Sequence, residues 1–547
     1  MKKILIICML LIFAASGSAV SQKNDYTQLD PKPYDPGTEP DIDLFISSWE
    51  ESMPRHTYGS LVERDIFTRS AGDPMRPHTK GAVLTFFNRF THGTLAPGAT
   101  TAPSKLMDEQ VIFYIASGNG IVNAGGETAE LYKGIGVLMP PDIEFTMKNI
   151  GDESLTMYII TEPVPEGFVP NKGMRISDEN VTPILDAKGH WSYIIKRLFM
   201  PEDGLAICGG MAPVWLDKMT IGQPHSHREE LEEIWFALEG DIDILVGKQL
   251  RKLPVGSAYK IPPNYRTPHS NINVTDEPVK LFWFIKRNDP EPPHPSYAML
   301  SSKPHDPETD PDIDMFTGSW KESTPFQSHG SIIERDILTK GDGDSMNPPR
   351  KGAVLSYVNR FTHATLLASH STVPTTPEGE QEIFYVLSGT GTVTGGGKTY
   401  DLYPGVTFLI PENLEFTMNN TGDEALTMYL VVEPTPEGFR PNDYIVIHDE
   451  AENQIHTTTA HWVNMNRYLI EAKEGLAEIQ LLLTVYLDPN TFAQPHSHDE
   501  GVEEVWCTIK GDSNFLLGQQ IRDLPPGTAY MIPPNGTTPH ANFNTSD

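Results

Sequence analysis

Short apolar runs separated by glycine and proline turns make up most of this chain. In one stretch, "EQVIFYIASGNGIVNAGG" reads as strand, Gly turn and strand, "ELYKGIGVLMPP" as a Gly-turn strand ending at Pro-Pro, and "SLTMYIITEPVP" as a final strand. Further along, "EEIWFALEGDIDILVGKQ", "PVGSAYKIPPN" and "VKLFWFIKRND" repeat that order, and Val279–Ile285 reads as a buried strand. No long, strongly amphipathic helical pattern interrupts them. The 47 prolines and 44 glycines favour short strands and many turns. The pattern predicts an all-β protein of antiparallel sandwiches or barrels.

The pattern is written twice. "DIDLFISSWEES" at Asp41 recurs as "DIDMFTGSWKES" at Asp312, and "KGAVLTFFNRFTHGTL" recurs as "KGAVLSYVNRFTHATL". Trp49 maps to Trp320, His92 to His363, His190 to His461 and His225 to His496, always 271 positions apart. A constant offset means a duplication without insertion or deletion. Each copy divides again into two strand-rich halves. The 547 residues, too many for one core, thus resolve into four β-domains in two tandem pairs. The expected boundaries are 46–170 and 171–289 for the first pair, and 317–441 and 442–547 for the second. An N-terminal linker at 20–45 and a Pro-rich, acidic connector at 290–316 complete the chain. Because Asp547 aligns with Asp276, the fourth domain is expected to lack the counterpart of "EPVKLFWFIKRN" and to expose a sheet edge.

Composition narrows the partners. Residues 1–19 read as a secretory signal: Lys2 and Lys3 lead, Ile4–Ala15 is apolar, and Gly17-Ser18-Ala19 offers a small-residue cleavage site. The apolar run falls short of a bilayer span, so the expected location is secreted or periplasmic, with no membrane attachment after cleavage. The formal net charge of −32, more negative still without Lys2 and Lys3, argues against nucleic acid as a partner. Cys208 and Cys507 do not occupy matching places in the repeat, so no disulfide framework is expected.

Candidate chemistry sits in the second half of each copy. "IGQPHSHREELEEIW" places His225 and His227 two apart, so that on a strand both face the same way, and Glu233 follows. His269 comes after "GSAYKIPPNYRTP", and the other copy supplies His496, His498, Glu504 and His540. Three imidazoles and a carboxylate converging inside a small barrel suit a first-row divalent transition metal, with positions open for water or substrate. One ion per second domain is expected, its identity open among Mn, Fe, Zn, Ni, Co and Cu. His92 and His363, in "NRFTH", lie outside any ligand spacing and read as structural histidines. His190-Trp191 and His461-Trp462 read similarly, although a His beside an aromatic near a barrel mouth can meet ligand. Trp235 and Trp506 share the glutamates' strand face and read as core or pocket wall. His294, in the connector, reads as exposed.

These residues resemble the two signature motifs of the cupin superfamily. The first, G-x5-H-x-H-x3-4-E-x6-G, fits "QPHSHREELEEIWFALEG" and "QPHSHDEGVEEVWCTIKG" with a slightly longer gap before the glutamate. The second, G-x5-P-x-G-x2-H-x3-N, fits "GSAYKIPPNYRTPHSNIN" and "GTAYMIPPNGTTPHANFN" loosely, with Asn264 or Asn535 at or beside the usual turn glycine. The resemblance implies four tandem cupin-type (jelly-roll) β-barrels arranged as two bicupin repeats, with metal in the second and fourth. In the other two it extends to the fold alone. Pro103, Lys105, Val111 and Phe145 stand at the ligand places of the first barrel; Pro374, Thr376 and Phe416 stand at those of the third, where Glu382 remains. Those barrels are expected to hold no metal and to serve as packing partners.

The cupin superfamily spans oxygenases, decarboxylases, isomerases, epimerases, lyases, sugar-binding modules and storage proteins, so fold leaves function open. One reading is a metal-dependent enzyme acting on a small oxygen-rich substrate, an organic acid or sugar derivative, with Glu233 and Glu504 as ligand or base. Another is a non-catalytic metal- or carbohydrate-binding module, whose tandem sites raise avidity. A third is a structural scaffold with relic sites. A homo-oligomer is among the expected assemblies. Arg228 and Glu229 in one copy, against Asp499 and Glu500 in the other, would give the two sites different charge.

Overall fold

The computed structural model describes residues 7–15, 40–185, 190–227, 230–262, 264, 267–286, 312–341, 346–457, 461–498 and 501–546. The fold is all-β: the regular structure is strand, joined by short 3-10 turns. Among these residues no helix is long and apolar enough to cross a membrane. Two compact units, one of 40–286 and one of 312–546 with 7–15, each hold a pair of barrels.

In the 40–286 unit the first barrel begins with a seven-stranded sheet. Its order is Arg175–Asp178, Ile135–Met139, Glu109–Ser117, Leu155–Pro163, Arg89–Leu95, Leu61–Thr68 and Arg55–Thr57. A three-stranded sheet of Phe145–Asn149, Gly120–Ala124 and Glu127–Leu131 accompanies it. The second barrel has a six-stranded sheet: Tyr193–Ile195, Cys208–Leu216, Val279–Lys286, Glu232–Glu239, Ser257–Lys260 and Ile46–Ser48. Thr220–Ile221, His269–Asn273, Ile242–Val246 and Gln249–Leu253 pair in a second set of strands. The alternation of a strand explains why Val279–Lys286 is apolar almost throughout. Leu281 and Trp283 pack with Trp235 in one core, while Phe282 and Phe284 join Phe87 and Phe90 in the core shared with the first barrel. Both faces are buried, so the period of two disappears from the sequence.

The two barrels exchange edges. Ile46–Ser48 precedes the first barrel yet pairs with Ser257–Lys260 of the second. Arg175–Asp178 opens the second half yet pairs with Ile135–Met139 of the first. Each of these strands thus pairs outside its own segment, 46–170 or 171–289, and Ile42 and Phe45, within the segment read as linker, are buried. Two buried carboxylates tie the exchange. Glu232 accepts hydrogen bonds from the backbone N–H groups of Thr85, Phe86 and Phe87, at 2.6, 2.8 and 2.9 Å. Reciprocally, Glu162 of the first barrel accepts from Ala206, Ile207 and Cys208.

The other unit repeats this plan. Thr317–Ser319 pairs with Thr528–Met531, and Val446–Asp449 with Val406–Ile410. Glu503 and Glu433 take the places of Glu232 and Glu162. One place in the plan is filled by a distant segment. Between Ile479–Leu487 and Val502–Lys510, where the first unit has Val279–Lys286, lies Ile7–Ala15, antiparallel to both neighbours. The edge expected to be exposed is filled by the apolar run read as an export signal. Met9, Leu10 and Ile12 belong to this unit's buried core. Nine apolar residues have the length and the two-faced hydrophobicity that this slot demands.

Candidate metal centre

Adjacent glutamates on Glu232–Glu239 point to opposite faces, as strand alternation requires. Glu232 leaves to clamp the first barrel, and Glu233 turns into the second. There it meets His225, His227 and His269, all buried, and one potential ligand atom from each of the four lies within 4.8 Å of the others. His496, His498, Glu504 and His540 form the same group in the other unit. Every predicted ligand is thus brought together. The His-x-His segment, expected on a strand, is not in one: His225 makes an isolated antiparallel bridge with His269, each N–H donating to the other's carbonyl. The two rings of the pair still converge, with centroids 4.9 Å apart.

Hydrogen bonds outside the cluster set the state of its atoms. His225 Nδ1 donates to the Gln223 carbonyl at 2.7 Å, and His269 Nδ1 to the His225 carbonyl at 2.9 Å. A carbonyl only accepts, so both Nε2 atoms carry bare lone pairs. Glu233 Oε1 accepts from the indoles of Trp235 and Trp283, while Oε2 has no hydrogen-bond donor and touches His227 Nε2. Burial, with mutual repulsion, holds His225 well below its usual range, and burial pushes His269 down to about 3. Burial alone would raise the Glu233 carboxyl, but His227, His269 and His225 pull it well below the carboxylate range. In the other unit burial likewise lowers His540 and takes His496 to about 3. Bare inward lone pairs on His225 and His269, beside an ionised Glu233, fit a divalent transition metal.

The tryptophans read as pocket wall, Trp235 and Trp506, thus also anchor the carboxylates of Glu233 and Glu504. The structure adds a fifth histidine to each group: the His190 ring lies 5.4 Å from that of His225, and His461 lies 4.7 Å from His496. The sequence signal for both was their recurrence at the 271-residue offset. His92 and His363 lie elsewhere, stacked on Trp49 and Trp320. The third barrel departs from expectation in one respect. His329, from a turn outside the aligned positions, places Nε2 3.0 Å from Glu382 Oε2, so the retained glutamate does have an imidazole partner. Arg360 closes the group with Glu334, Glu380 and Glu382 as a partly buried ion-pair network. Arg228, Glu229, Asp499, Glu500 and His294 lie outside the described residues.

The family model described as "Cupin domain" matches residues 91–161, 216–285 and 363–432. The chain belongs to the cupin superfamily. It is a repeated-domain cupin, with one matched segment in each of the first three barrels. This cupin is similar to the protein Ylba from E. coli, at 14% identity over 45% of this chain and 92% of that one, with a TM-score of 0.34. A variant oxalate decarboxylase from B. subtilis shares 13% identity over 47% of this chain and 79% of its own, with a TM-score of 0.36. Vicilin from hazelnut (Corylus avellana) shares 13% over 44% and 85%, with a TM-score of 0.35. No curated protein matches this cupin in sequence.

Proposed function

We propose that this cupin is an exported metal-dependent enzyme acting on a small oxygen-rich substrate, an organic acid or a sugar derivative. The observation that carries the reading is the pair of groups of three histidines and one glutamate, in each of which one potential ligand atom per residue lies within 4.8 Å of the others. His225, His227, His269 and Glu233 would hold one ion, and His496, His498, His540 and Glu504 the other. A divalent ion there supplies Lewis acidity toward a carboxylate or hydroxyl oxygen. The chain's own part is orientation. The backbone carbonyls of Gln223 and His225 fix the imidazole tautomers, and the indoles fix Glu233 as a ligand rather than a free base. Tyr259 donates to Asn271, which donates to Tyr193, so a polar wall with hydroxyl and amide groups stands beside the ligands. That wall favours an enzyme over a purely structural metal site, which needs no such lining. Export is supported by the sequence pattern of residues 1–19 and opposed by the burial of Met9, Leu10 and Ile12 in the 312–546 unit, which cleavage after Ala19 would remove.

The test is elemental analysis of the purified protein beside His225→Ala and His496→Ala. About two ions per chain, falling to about one in each variant, is the expected result. A metal-free parent after expression in metal-supplemented medium would overturn the reading.

A further inference from the structure

We propose that His461, and His190 in the other copy, is a fifth protein ligand at each centre. The inference rests on the metal reading above. Neither residue belongs to the His-x-His, Glu or late-His positions, and each is followed by a tryptophan in left-handed backbone, with φ of 58° at Trp462 and 55° at Trp191. A bulky residue at positive φ is an outlier that the surrounding structure must enforce. Both copies enforce it immediately after the histidine.

The nitrogen geometry gives the reason. His461 Nε2 lies 3.2 Å from His496 Nε2, and His540 Nε2 lies at the same distance from that atom. His496 Nδ1 donates to the Gln494 carbonyl at 3.0 Å, so its Nε2 holds one lone pair and no proton. A single in-plane lone pair cannot accept from two neighbours on different sides, whereas one cation can serve three lone pairs. Nitrogens bound about 2.1 Å from one ion, at roughly 90–110° to each other, stand about 3.0–3.4 Å apart. Both observed separations fall inside that range. His225 has the same tautomer as His496, fixed by the Gln223 carbonyl, and its ring centroid lies 5.4 Å from that of His190. Four imidazoles and one carboxylate leave an octahedral ion one open position. Substrate would then bind through one oxygen atom rather than as a chelate.

Cobalt(II) is a suitable probe, because its visible absorption and X-ray absorption report the number and type of ligands. The full-length protein, stripped and reloaded with cobalt, is compared with His461→Ala and His190→Ala. Each variant is expected to lose about tenfold in cobalt affinity at one site. One nitrogen should be lost from the X-ray absorption shell of that site, and added imidazole should restore the spectrum. His461→Gln, which keeps a polar side chain, guards against misfolding and should behave like the alanine variant. Variants that keep the parent's affinity and spectrum would overturn the inference while leaving the metal reading intact. A parent that binds no cobalt would overturn both.

Discussion

Trp283 donates its indole proton to Glu233, fifty residues earlier, at the oxygen that Trp235 also occupies. Glu504 receives one indole, that of Trp506 at 2.6 Å, among the described residues. A ligand held at two points loses less freedom on binding metal than one held at a single point. Trp283→Phe is therefore expected to weaken metal binding at the His225 centre by about tenfold, with the His496 centre unaffected. Chelator competition measures both sites, and an unchanged His225 centre would show that the second indole is incidental.

Glu232 and Lys260 form a fully buried pair at 3.1 Å, while Met531 stands where Glu503 would find the same lysine. Removing Glu232 strands both the lysine and three backbone N–H groups. Glu232→Ala should cost about 3–5 kcal/mol, more than Glu503→Ala, where no buried cation is left behind. Denaturant unfolding of the two variants gives the comparison, and equal losses would count against the lysine's role.

His92 and His363 sit against Trp49 and Trp320 with ring centroids 4.4 and 4.5 Å apart. Burial pushes both down to about 4 from an ordinary 6.5. Between those values the unfolded chain takes up protons that the folded chain refuses. The stability they confer is complete above pH 6.5 and is lost as pH falls toward 4. Replacing both by Gln should flatten the acid limb of the stability profile, by up to about 1.4 kcal/mol per pH unit for each. A double variant with the parent's acid limb would refute this.

Ile7–Ala15 completes a sheet in the 312–546 unit. A chain starting at Val20 would leave Ile479–Leu487 and Val502–Lys510 each with an unpaired edge and exposed apolar side chains. It is expected to lose several kcal/mol of stability in that unit and to self-associate. Calorimetry and light scattering of the two chains read this out, and an unchanged unfolding profile would show the strand to be dispensable.

The spacing of His225, His227, Glu233 and His269, repeated 271 residues on, was enough to pick out the residues that gather in each buried group, because local patterning and duplication are written directly along the chain. The all-β character and the buried strand at Val279–Ile285 were legible for the same reason. Other features depended on which segments meet in space. Glu232 looks like half of an acidic dyad until the first barrel's backbone arrives at its carboxylate. The third barrel's Glu382 looks unpartnered until a turn fifty-three residues earlier delivers His329. Ile7–Ala15 carries the hydrophobicity of an export signal and of a buried strand alike, since both need only a short apolar run. Sequence alone determined the repeat, the fold class and the two tetrads. Tertiary structure decided the exchanged edges, the clamps and the fifth histidines, because these contacts join residues whose separation along the chain follows no period.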